Sequence, residues 1–249
     1  ERDMMGGLAK GLKVIEAFSA ERPRLSISDA ADIAGLDRAT TRRCLLTLSE
    51  LGYAAYDGKF FTVTPKVLRL GTGCLATMPL PRIVQPLLDR LSEEIGQSTS
   101  VSILDETEIV YVARAAQQRV MSIALMPGSR LPAYCTSMGR VLLSVQTPER
   151  QREVLENSKL VARTEKTIIA VDALLAEIEA TGNRGYALID QEVEVGLRSI
   201  AVPVKTVRGQ TVAALNVGLA ASVTSMDDLV ERYLPALLAV QRELGRMLV

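Results

Sequence analysis

Residues 26–63, SISDAADIAGLDRATTRRCLLTLSELGYAAYDGKFFTV, contain the clearest local structural signals in the first part of the chain. Ser28 is a suitable N-cap for a short helix that stops at Gly35, because a serine hydroxyl satisfies a free amide and glycine tolerates a left-handed conformation. Asp37 can cap a longer helix, which runs from residue 38 to about residue 51 and ends at Gly52. The pattern therefore predicts two helices joined by a tight turn.

A hairpin and a preceding helix complete this part of the chain. Residues 53–56 and 59–63 are β-prone, and the Asp57-Gly58 pair between them is a strong hairpin signal. The third helix has a predicted buried stripe made of Cys44, Leu45, Leu48 and Leu51. Upstream, an amphipathic helix is predicted from the helical spacing of Leu8, Leu12, Ile15 and Phe18. This order of elements is typical of a winged helix-turn-helix.

The start of the third helix carries groups that suit DNA. A recognition helix must present hydrogen-bond donors to base edges and phosphates from its exposed N-terminal turns. Arginine can make two hydrogen bonds to guanine, and threonine can bond a phosphate or meet a thymine methyl group. Exposed arginines are often only a solvated surface, but the full order of elements favours DNA contact. The candidate contacts are Arg38, Thr40, Thr41, Arg42 and Arg43 on the helix, and Lys59 after the wing turn.

The composition removes several classes of function. The 249 residues include 29 basic and 29 acidic ones, so the net charge gives no sign of wholesale nucleic-acid or membrane binding. The chain contains no histidine, which excludes Ser-His-Asp and Cys-His catalysis and histidine-ligated zinc. Its three cysteines are far apart, and it has neither a Walker-type loop nor a G-x-G-x-x-G motif. No apolar stretch approaches the roughly 18 residues of a membrane span, so we expect a cytoplasmic protein. Because the usual ligand and nucleotide-binding motifs are missing, we expect neither a cofactor nor a metal.

The chain is predicted to divide into three parts. Residues 1–66 form the winged helix-turn-helix, residues 67–80 connect, and residues 81–249 form a second unit, with Pro79 and Pro81 expected at a hinge. In the second unit the pattern predicts helices at 87–95, 137–145, 148–157, 172–181 and 226–248. It predicts strands at 98–104, 109–113, 120–125, 185–189, 200–206 and 211–219. Antiparallel strands with segregated helices indicate an α+β ligand-sensing domain.

One helix start in the second unit suits an anionic ligand. Thr136 is a suitable N-cap, so the free amides of residues 137–139 point outward as an anion site. Tyr134 could stack on an aromatic acid, and Arg114 and Arg130 could clamp a carboxylate in a two-bond fork. For each arginine the alternative is a solvated surface residue.

Polar residues in and after two later strands each have two interpretations. Asn216 lies in an otherwise apolar strand, where a buried amide needs partners from the protein or from a ligand. Asp190, Glu192 and Glu194 alternate after a strand, and paired carboxylates could perform acid–base chemistry or hold a cation. A solvated loop approaching Gly196 is the simpler interpretation for Glu194. No nucleophile with a neighbouring base is found in the sequence, so catalysis has little support.

Four stretches together resemble the IclR family of bacterial transcription regulators over nearly the whole chain. They are LAKGLKVIEAF (8–18), SISDAADIAGLDRATTRRCLLTLSELGYA (26–54), RLPAYCTSMGRVLLS (130–144) and GYALIDQEVEVGLRSIAVPV (185–204). Within that family, VYVARAA (110–116) and LPAYCTSMGRVLL (131–143) are similar to the protocatechuate and 4-hydroxybenzoate (Pca/Pob-type) regulators of the β-ketoadipate pathway. The resemblance implies an N-terminal winged helix, a linker helix and a C-terminal GAF-like α/β domain that binds a small acid. It also implies binding to double-stranded operator DNA as a dimer or a dimer of dimers.

The resemblance further implies a set of effector-binding positions, which are Thr136, Ser137, Met138, Asp190, Ser199, Asn216 and Gly218. Relatives often have cysteine at position 199 and serine at position 216, but both positions remain polar here. We therefore expect a regulator that responds to a small aromatic or dicarboxylic acid, of the protocatechuate, 4-hydroxybenzoate or β-ketoadipate class. The alternatives are a regulator with a glyoxylate- or pyruvate-like effector, an enzyme on small acids that uses Asp190 and Glu192, and a protein-interaction module without DNA binding.

Overall fold

A computed structural model describes residues 3–19, 21–117 and 125–248 of the chain. Its contacts divide the chain into two compact units, one ending at Thr77 and the other beginning at Met78. This boundary falls inside the predicted connecting segment 67–80. The strand predicted at 120–125 lies outside the described residues, apart from its last position.

The first unit has the order of elements that the sequence predicts. Its elements are α1 (Gly6–Glu16), α2 (Ile27–Ala34), α3 (Arg38–Glu50), β1 (Ala54–Tyr56), β2 (Phe61–Val63) and α4 (Leu68–Thr77). The two strands pair antiparallel across a turn in which Gly58 has a φ of +100°, a conformation that suits glycine. A small core joins the helices to the wing, with Val14, Leu45 and Phe61 almost fully buried.

Two local details of the first unit differ from the prediction. Ser26, not Ser28, caps α2: the Ser26 hydroxyl accepts a hydrogen bond from the Asp29 amide at 3.2 Å, and the Asp29 carboxylate accepts one from the Ser26 amide at 2.9 Å. This reciprocal capping box satisfies two free amides at once. Leu51 is 53% exposed rather than buried, because α3 ends at Glu50 and the chain leaves the helical spacing there.

Within the described residues, the second unit is built on a six-stranded antiparallel sheet with the order β5-β4-β3-β8-β7-β6. Its strands are β3 (Ser98–Asp105), β4 (Glu108–Ala115), β5 (Arg130–Pro132), β6 (Ala187–Asp190), β7 (Leu197–Lys205) and β8 (Thr211–Ala220). Its helices are α5 (Pro79–Ile95), α6 (Ser137–Ser144), α7 (Pro148–Asn157), α8 (Val171–Arg184), α9 (Met226–Asp228) and α10 (Leu234–Met247).

The sheet separates two cores. On one face α5 and α10 pack, with Leu88 and Leu237 fully buried, and on the other α6, α7 and α8 pack, with Leu155 fully buried. Neighbouring strand residues alternate between the two cores, so that Ile200 belongs to the first and Ala201 to the second. Helices segregated onto the faces of an antiparallel sheet agree with the α+β prediction.

The helices of the second unit differ from the prediction at two points. α5 begins at Pro79, well before the predicted start at residue 87, so Pro79 and Pro81 lie in its first turn, directly after the boundary between the two units. Proline is tolerated there because the first amides of a helix have no intrahelical partner. The predicted terminal helix contains a π-helical segment, Leu229–Tyr233, between α9 and α10. None of the described helices is both long enough and apolar enough to cross a membrane.

Candidate functional site

The exposed side of α3 is basic. Asp37 caps the helix, because its Oδ1 accepts a hydrogen bond from the Thr40 amide at 2.8 Å, and this bond lowers the pKa of the Asp37 carboxyl. Beyond the cap, Arg38, Arg42 and Arg43 are all exposed. Arg38 and Arg42 are four residues apart and therefore share one side of the helix. The structure thus presents the predicted arginines together.

The two threonines of this segment are buried. Thr41 has no exposed surface, and its hydroxyl donates a hydrogen bond to the Asp37 carbonyl oxygen at 2.9 Å. Thr40 is 8% exposed, and its hydroxyl accepts a long hydrogen bond of 3.4 Å from the Arg43 guanidinium. A buried hydroxyl whose proton is already donated cannot reach a phosphate. Thr41 is therefore not available as a DNA contact. The Thr40 hydroxyl is bonded to the Arg43 guanidinium and helps to hold that side chain in place.

The wing carries two cations around one aromatic ring. Lys59 Nζ lies 5.1 Å and the Arg24 guanidinium 4.8 Å from the centroid of the Phe60 ring. Lys59 is exposed, as a phosphate contact requires. No sequence pattern singles out Arg24, which precedes α2. It is brought to the wing by the β-bridge between Leu25 and Phe61 and by its own ion pair with Asp57 at 2.7 Å.

A small cavity, with a volume of about 40 Å³, lies between the sheet and the start of α6. Seven of the predicted effector residues line it: Arg114, Thr136, Ser137, Met138, Ser199, Asn216 and Gly218. The other lining residues were not predicted, and they are Ser98, Tyr111, Leu125, Leu131, Val193 and Leu197. Four of these six are aliphatic, and the sequence alone does not distinguish an aliphatic residue that lines a cavity from one in the core.

A β-bulge brings Tyr111 and Arg114 to the same face of the sheet. The register between β3 and β4 shifts by one residue, which leaves Val112 as the extra residue of β4. Tyr111 belongs to the core under α6, whereas Val112 and Ala113 both belong to the opposite core. In a regular strand residues 111 and 114 would face opposite sides, and the extra residue reverses this.

Arg114 is a partly buried cation whose charge no acidic side chain of the described residues neutralises. Its Nη1 donates a hydrogen bond to Ser100 Oγ at 2.8 Å. Burial lowers the pKa of the Arg114 guanidinium, while the neighbouring Tyr111 raises it. Burial raises the pKa of the Tyr111 phenol to about 12, against the effect of Arg114. A cationic guanidinium and a neutral phenol therefore face the cavity at neutral pH.

The start of α6 forms another wall of the cavity. Thr136 caps this helix by accepting a hydrogen bond from the Gly139 amide at 3.1 Å, and Ser199 Oγ donates to Ser137 Oγ at 2.9 Å. The helix packs so closely that a Cβ at Gly139 would lie 2.1 Å from the Ala133 carbonyl oxygen. The first turn is thereby fixed in place, and its free amides carry partial positive charge.

Arg130 and Tyr134 do not line the cavity, although the sequence suggested both as ligand contacts. Arg130 lies at the surface and pairs with Asp105 at 2.8 Å and with Glu108 at 2.6 Å. The Tyr134 hydroxyl donates to the Val161 carbonyl oxygen at 2.7 Å and accepts from the Val161 amide at 3.1 Å. Both side chains already have strong partners elsewhere, so we exclude them from the site.

Asp190 and Glu192 are also bound by cations instead of lining the cavity. Arg198 Nε donates to Asp190 Oδ1 at 2.6 Å, and Lys166 pairs with the other carboxylate oxygen. Burial would raise the pKa of Asp190, but the hydrogen bonds from Lys166 and Arg198 lower it to about 2. Glu192 pairs with the buried Arg140 at 2.6 Å. In the described ranges no group of three or more acidic or cysteine side chains could hold a metal ion.

A winged helix-turn-helix combined with a second unit that holds a polar cavity defines a DNA-binding regulator with a small-molecule site. The IclR helix-turn-helix domain matches residues 7–58, and the domain described as bacterial transcriptional regulator IclR C-terminal matches residues 72–246. The chain belongs to the IclR family of bacterial transcriptional regulators. The resemblance stated from the sequence is therefore confirmed.

Two relatives and one solved structure show how far the likeness extends. The chain is 42% identical to the Pca regulon regulatory protein of Pseudomonas putida, over 99% of this chain and 85% of that protein. It is 38% identical to the p-hydroxybenzoate hydroxylase transcriptional activator of Acinetobacter baylyi, over 98% of this chain and 92% of that protein. A crystal structure from Acinetobacter shows a double mutant of the PobR inducer-binding domain with 3-hydroxybenzoic acid. It covers 69% of this chain and 100% of its own, with 35% identity and a TM-score of 0.65. These relatives are named as regulators, and the Pca/Pob-type resemblance is confirmed.

Proposed function

We propose that this regulator binds operator DNA through α3 and the wing, and that an aromatic acid bound in the cavity of the second unit changes its affinity for the operator. The genes under its control would then be those for the breakdown of that acid. The protein acts as a homo-oligomer, a dimer or a dimer of dimers, so that paired recognition helices meet paired half-sites.

Exposed cations support the DNA-binding half of the proposal. Arg38, Arg42 and Arg43 project from the N-terminal half of α3, which is the part of a recognition helix that meets base edges. Lys59 extends from the wing and can neutralise a neighbouring phosphate. These four residues are the DNA contacts that we assign.

The partly buried Arg114 is the observation that carries the ligand half of the proposal. A guanidinium has five N–H donors, and in the described residues Arg114 uses one of its nitrogens on Ser100. A cation taken out of water needs an anionic partner, and a carboxylate matches the guanidinium in a two-bond fork. A small acid supplies that partner.

The size of the cavity supports a coupling between ligand and DNA. Sites for organic ligands measure roughly 300–1,000 Å³, whereas this cavity measures about 40 Å³, room for a few water molecules at most. An aromatic acid must therefore displace the walls, which include the start of α6 and Val193. Part of the binding free energy is then spent on a rearrangement, and such couplings typically amount to about 1–3 kcal/mol, or about 5- to 150-fold in affinity.

The relatives support an aromatic acid as the ligand. One is named for the Pca regulon and another for p-hydroxybenzoate hydroxylase, and the PobR domain was crystallised with 3-hydroxybenzoic acid. No comparable support exists in the described cavity for an enzymatic role, because Asp190 and Glu192 are each bound by cations.

Operator binding by the full chain tests the proposal. A duplex selected from random DNA would be titrated by fluorescence anisotropy, alone and with 4-hydroxybenzoate, protocatechuate, glyoxylate or pyruvate. We expect one of the two aromatic acids to change the dissociation constant at least about fivefold, and the two small keto acids to leave it unchanged. A response to glyoxylate or pyruvate alone would contradict the aromatic effector and indicate a regulator of another small-acid pathway. A flat dependence of affinity on salt would oppose phosphate contact and favour a protein-interaction module.

A further inference from the structure

We infer that Arg24 and Lys59 form a pair of phosphate contacts at the tip of the wing, so that Arg24 binds the operator although it lies on neither α3 nor the wing strands. Their partner is the phosphate backbone of double-stranded DNA and not the edges of its bases. This inference rests on the proposed function, since it assumes that α3 and the wing meet operator DNA. It adds a further contact residue and the part of the DNA that it binds.

Arg24 is brought to the wing tip from the segment before α2. The backbone of Leu25 pairs with Phe61 of β2 through two hydrogen bonds, at 3.0 Å from the Leu25 amide and at 2.8 Å from the Phe61 amide. Arg24 Nη2 donates to Asp57 Oδ2 at 2.7 Å, and the guanidinium lies 4.8 Å from the centroid of the Phe60 ring. The side chain is therefore held at the turn of the hairpin.

One carboxylate orders the turn that carries Lys59. Asp57 Oδ1 accepts hydrogen bonds from the Phe60 amide at 2.7 Å and from the Lys59 amide at 2.9 Å. These bonds lower the pKa of the Asp57 carboxyl, so that it is ionised at neutral pH. Its other oxygen holds Arg24, and both cations are thus placed around one aromatic ring in the absence of DNA. Binding then costs little additional ordering of side chains.

Arg24 retains hydrogen-bond donors for a second partner. A guanidinium has five N–H groups, and in the described residues Arg24 donates from Nη2 alone. Its side chain is 57% exposed, and Asp57 is the one acidic side chain of the described part of the chain with which it pairs. Because Lys59 lies beside the same carboxylate, two cations face one anion and the tip has a net charge of +1. This excess charge favours an anionic partner.

The spacing of the two cations suits a DNA backbone. Each lies about 5 Å from the same ring centroid, so the two charges are at most about 10 Å apart. Along about 10 Å of its axis a duplex carries about six phosphates, so both cations can meet phosphates at once. Phosphate contacts depend on charge and not on base sequence. Arg24 and Lys59 should therefore contribute equally to the binding of any duplex.

Anisotropy titrations of the full chain, with the selected operator duplex and a scrambled duplex of the same length, test the inference at about 50 to 200 mM KCl. Arg24→Gln should weaken the binding of both duplexes by the same factor, at least about fivefold at the lowest salt concentration. Because one phosphate contact releases about one counterion, the slope of log affinity against log salt should become shallower by about 0.9. Lys59→Gln should change the slope by the same amount, and the double variant by about twice as much.

Two variants serve as controls. Arg22→Gln removes an exposed cation from the same segment, but Asp57 pairs with Arg24 and not with Arg22 in the described residues, so this variant should bind both duplexes like the wild type. Arg24→Lys keeps the charge and should retain the wild-type slope, since lysine also binds phosphate. Arg24 and Asp57 are each about half exposed, so the loss of their pair should leave the fold intact, which thermal melting checks.

The outcomes separate this inference from the proposed function. If the wild type binds no duplex, or binds with a flat salt dependence, the DNA-binding part of the proposed function fails and the inference with it. If the wild-type slope is steep and Arg24→Gln shows the same slope and affinity, only the inference fails. A loss confined to the operator duplex would mean that Arg24 reads bases, which overturns the assignment to phosphate. An equal change of slope in Arg22→Gln would show an effect of net charge and not a contact at the wing tip.

Discussion

Arg140 and Glu192, 52 residues apart, form an ion pair of 2.6 Å between Nη2 and Oε2 inside the core of the second unit. Only 1% of Arg140 and 6% of Glu192 is exposed. Arg140 Nε also donates to the Tyr134 carbonyl oxygen at 3.3 Å, and Glu192 accepts from the Ile168 amide at 3.3 Å. The pair therefore joins α6 to the loop after β6, which carries Val193 to the cavity wall.

Glu192→Gln should lower the free energy of unfolding by about 3–5 kcal/mol, because it leaves the Arg140 charge buried without a partner. Urea denaturation followed by far-ultraviolet circular dichroism measures this change. Glu156→Gln provides the matched control: Glu156 pairs with Arg152 at 3.7 Å on the exposed side of α7, and its loss should cost at most about 0.5 kcal/mol. Equal midpoints for the two variants would contradict the structural role of the buried pair.

Gly139→Ala should destabilise the start of α6, because its Cβ would lie 2.1 Å from one backbone atom of Ala133 and 2.4 Å from another. Such overpacking costs at least about 1–3 kcal/mol. Gly182→Ala, inside α8, is the control, since its Cβ would make ordinary contacts of 3.6 Å and more. There alanine should be neutral or stabilising by up to about 1 kcal/mol. Thermal melting compares the two, and a Gly139→Ala protein as stable as the wild type would show that the helix does not pack this closely.

Asp190→Asn should lower stability more at neutral than at acid pH. The pKa of Asp190 is lowered from 3.8 to about 2 in the folded protein, so its ionised form stabilises the fold above about pH 4. That contribution is lost as the pH falls from about 4 towards 2. Melting temperatures of both proteins from pH 6 to pH 3 should therefore converge on the acid side. Ligand affinity should stay within about threefold of the wild type, since Asp190 does not line the cavity. A larger loss of affinity would mean that Asp190 does contact the ligand.

Arg42→Ala should weaken operator binding by about 5- to 150-fold, the range that corresponds to the loss of a specific base contact. Arg208→Ala, an exposed arginine in the turn between β7 and β8, should leave operator binding unchanged. Anisotropy titrations with the selected duplex measure both, and ligand binding by each variant should match the wild type. Operator binding by Arg42→Ala at wild-type strength would mean that α3 is not the recognition helix.

The winged helix-turn-helix could be predicted because its signals are local. Asp37 caps the helix that follows it, and Gly58 permits the turn in which it lies, so neither depends on distant parts of the chain. The burial of Thr41 was missed, although its signal is local too. Thr41 precedes Leu45 by four residues and Leu48 by seven, so helical spacing places it on the buried stripe of α3.

Most of the helices and strands, the basic face of α3, the cap at Thr136 and the family could be predicted from the sequence, because each depends on residue types at short spacings. The short strand β5 was missed. Which side chains meet in the cavity depends on tertiary contacts. The bulge at Val112 places Tyr111 and Arg114 on one face against the ordinary alternation, and its position depends on pairing with β3. Arg130 carries the same charge as Arg114 but forms ion pairs with Asp105 and Glu108 outside the cavity. Strand register, ion pairs and burial all depend on contacts between segments that are distant in the chain. Local spacing of residue types therefore does not predict them.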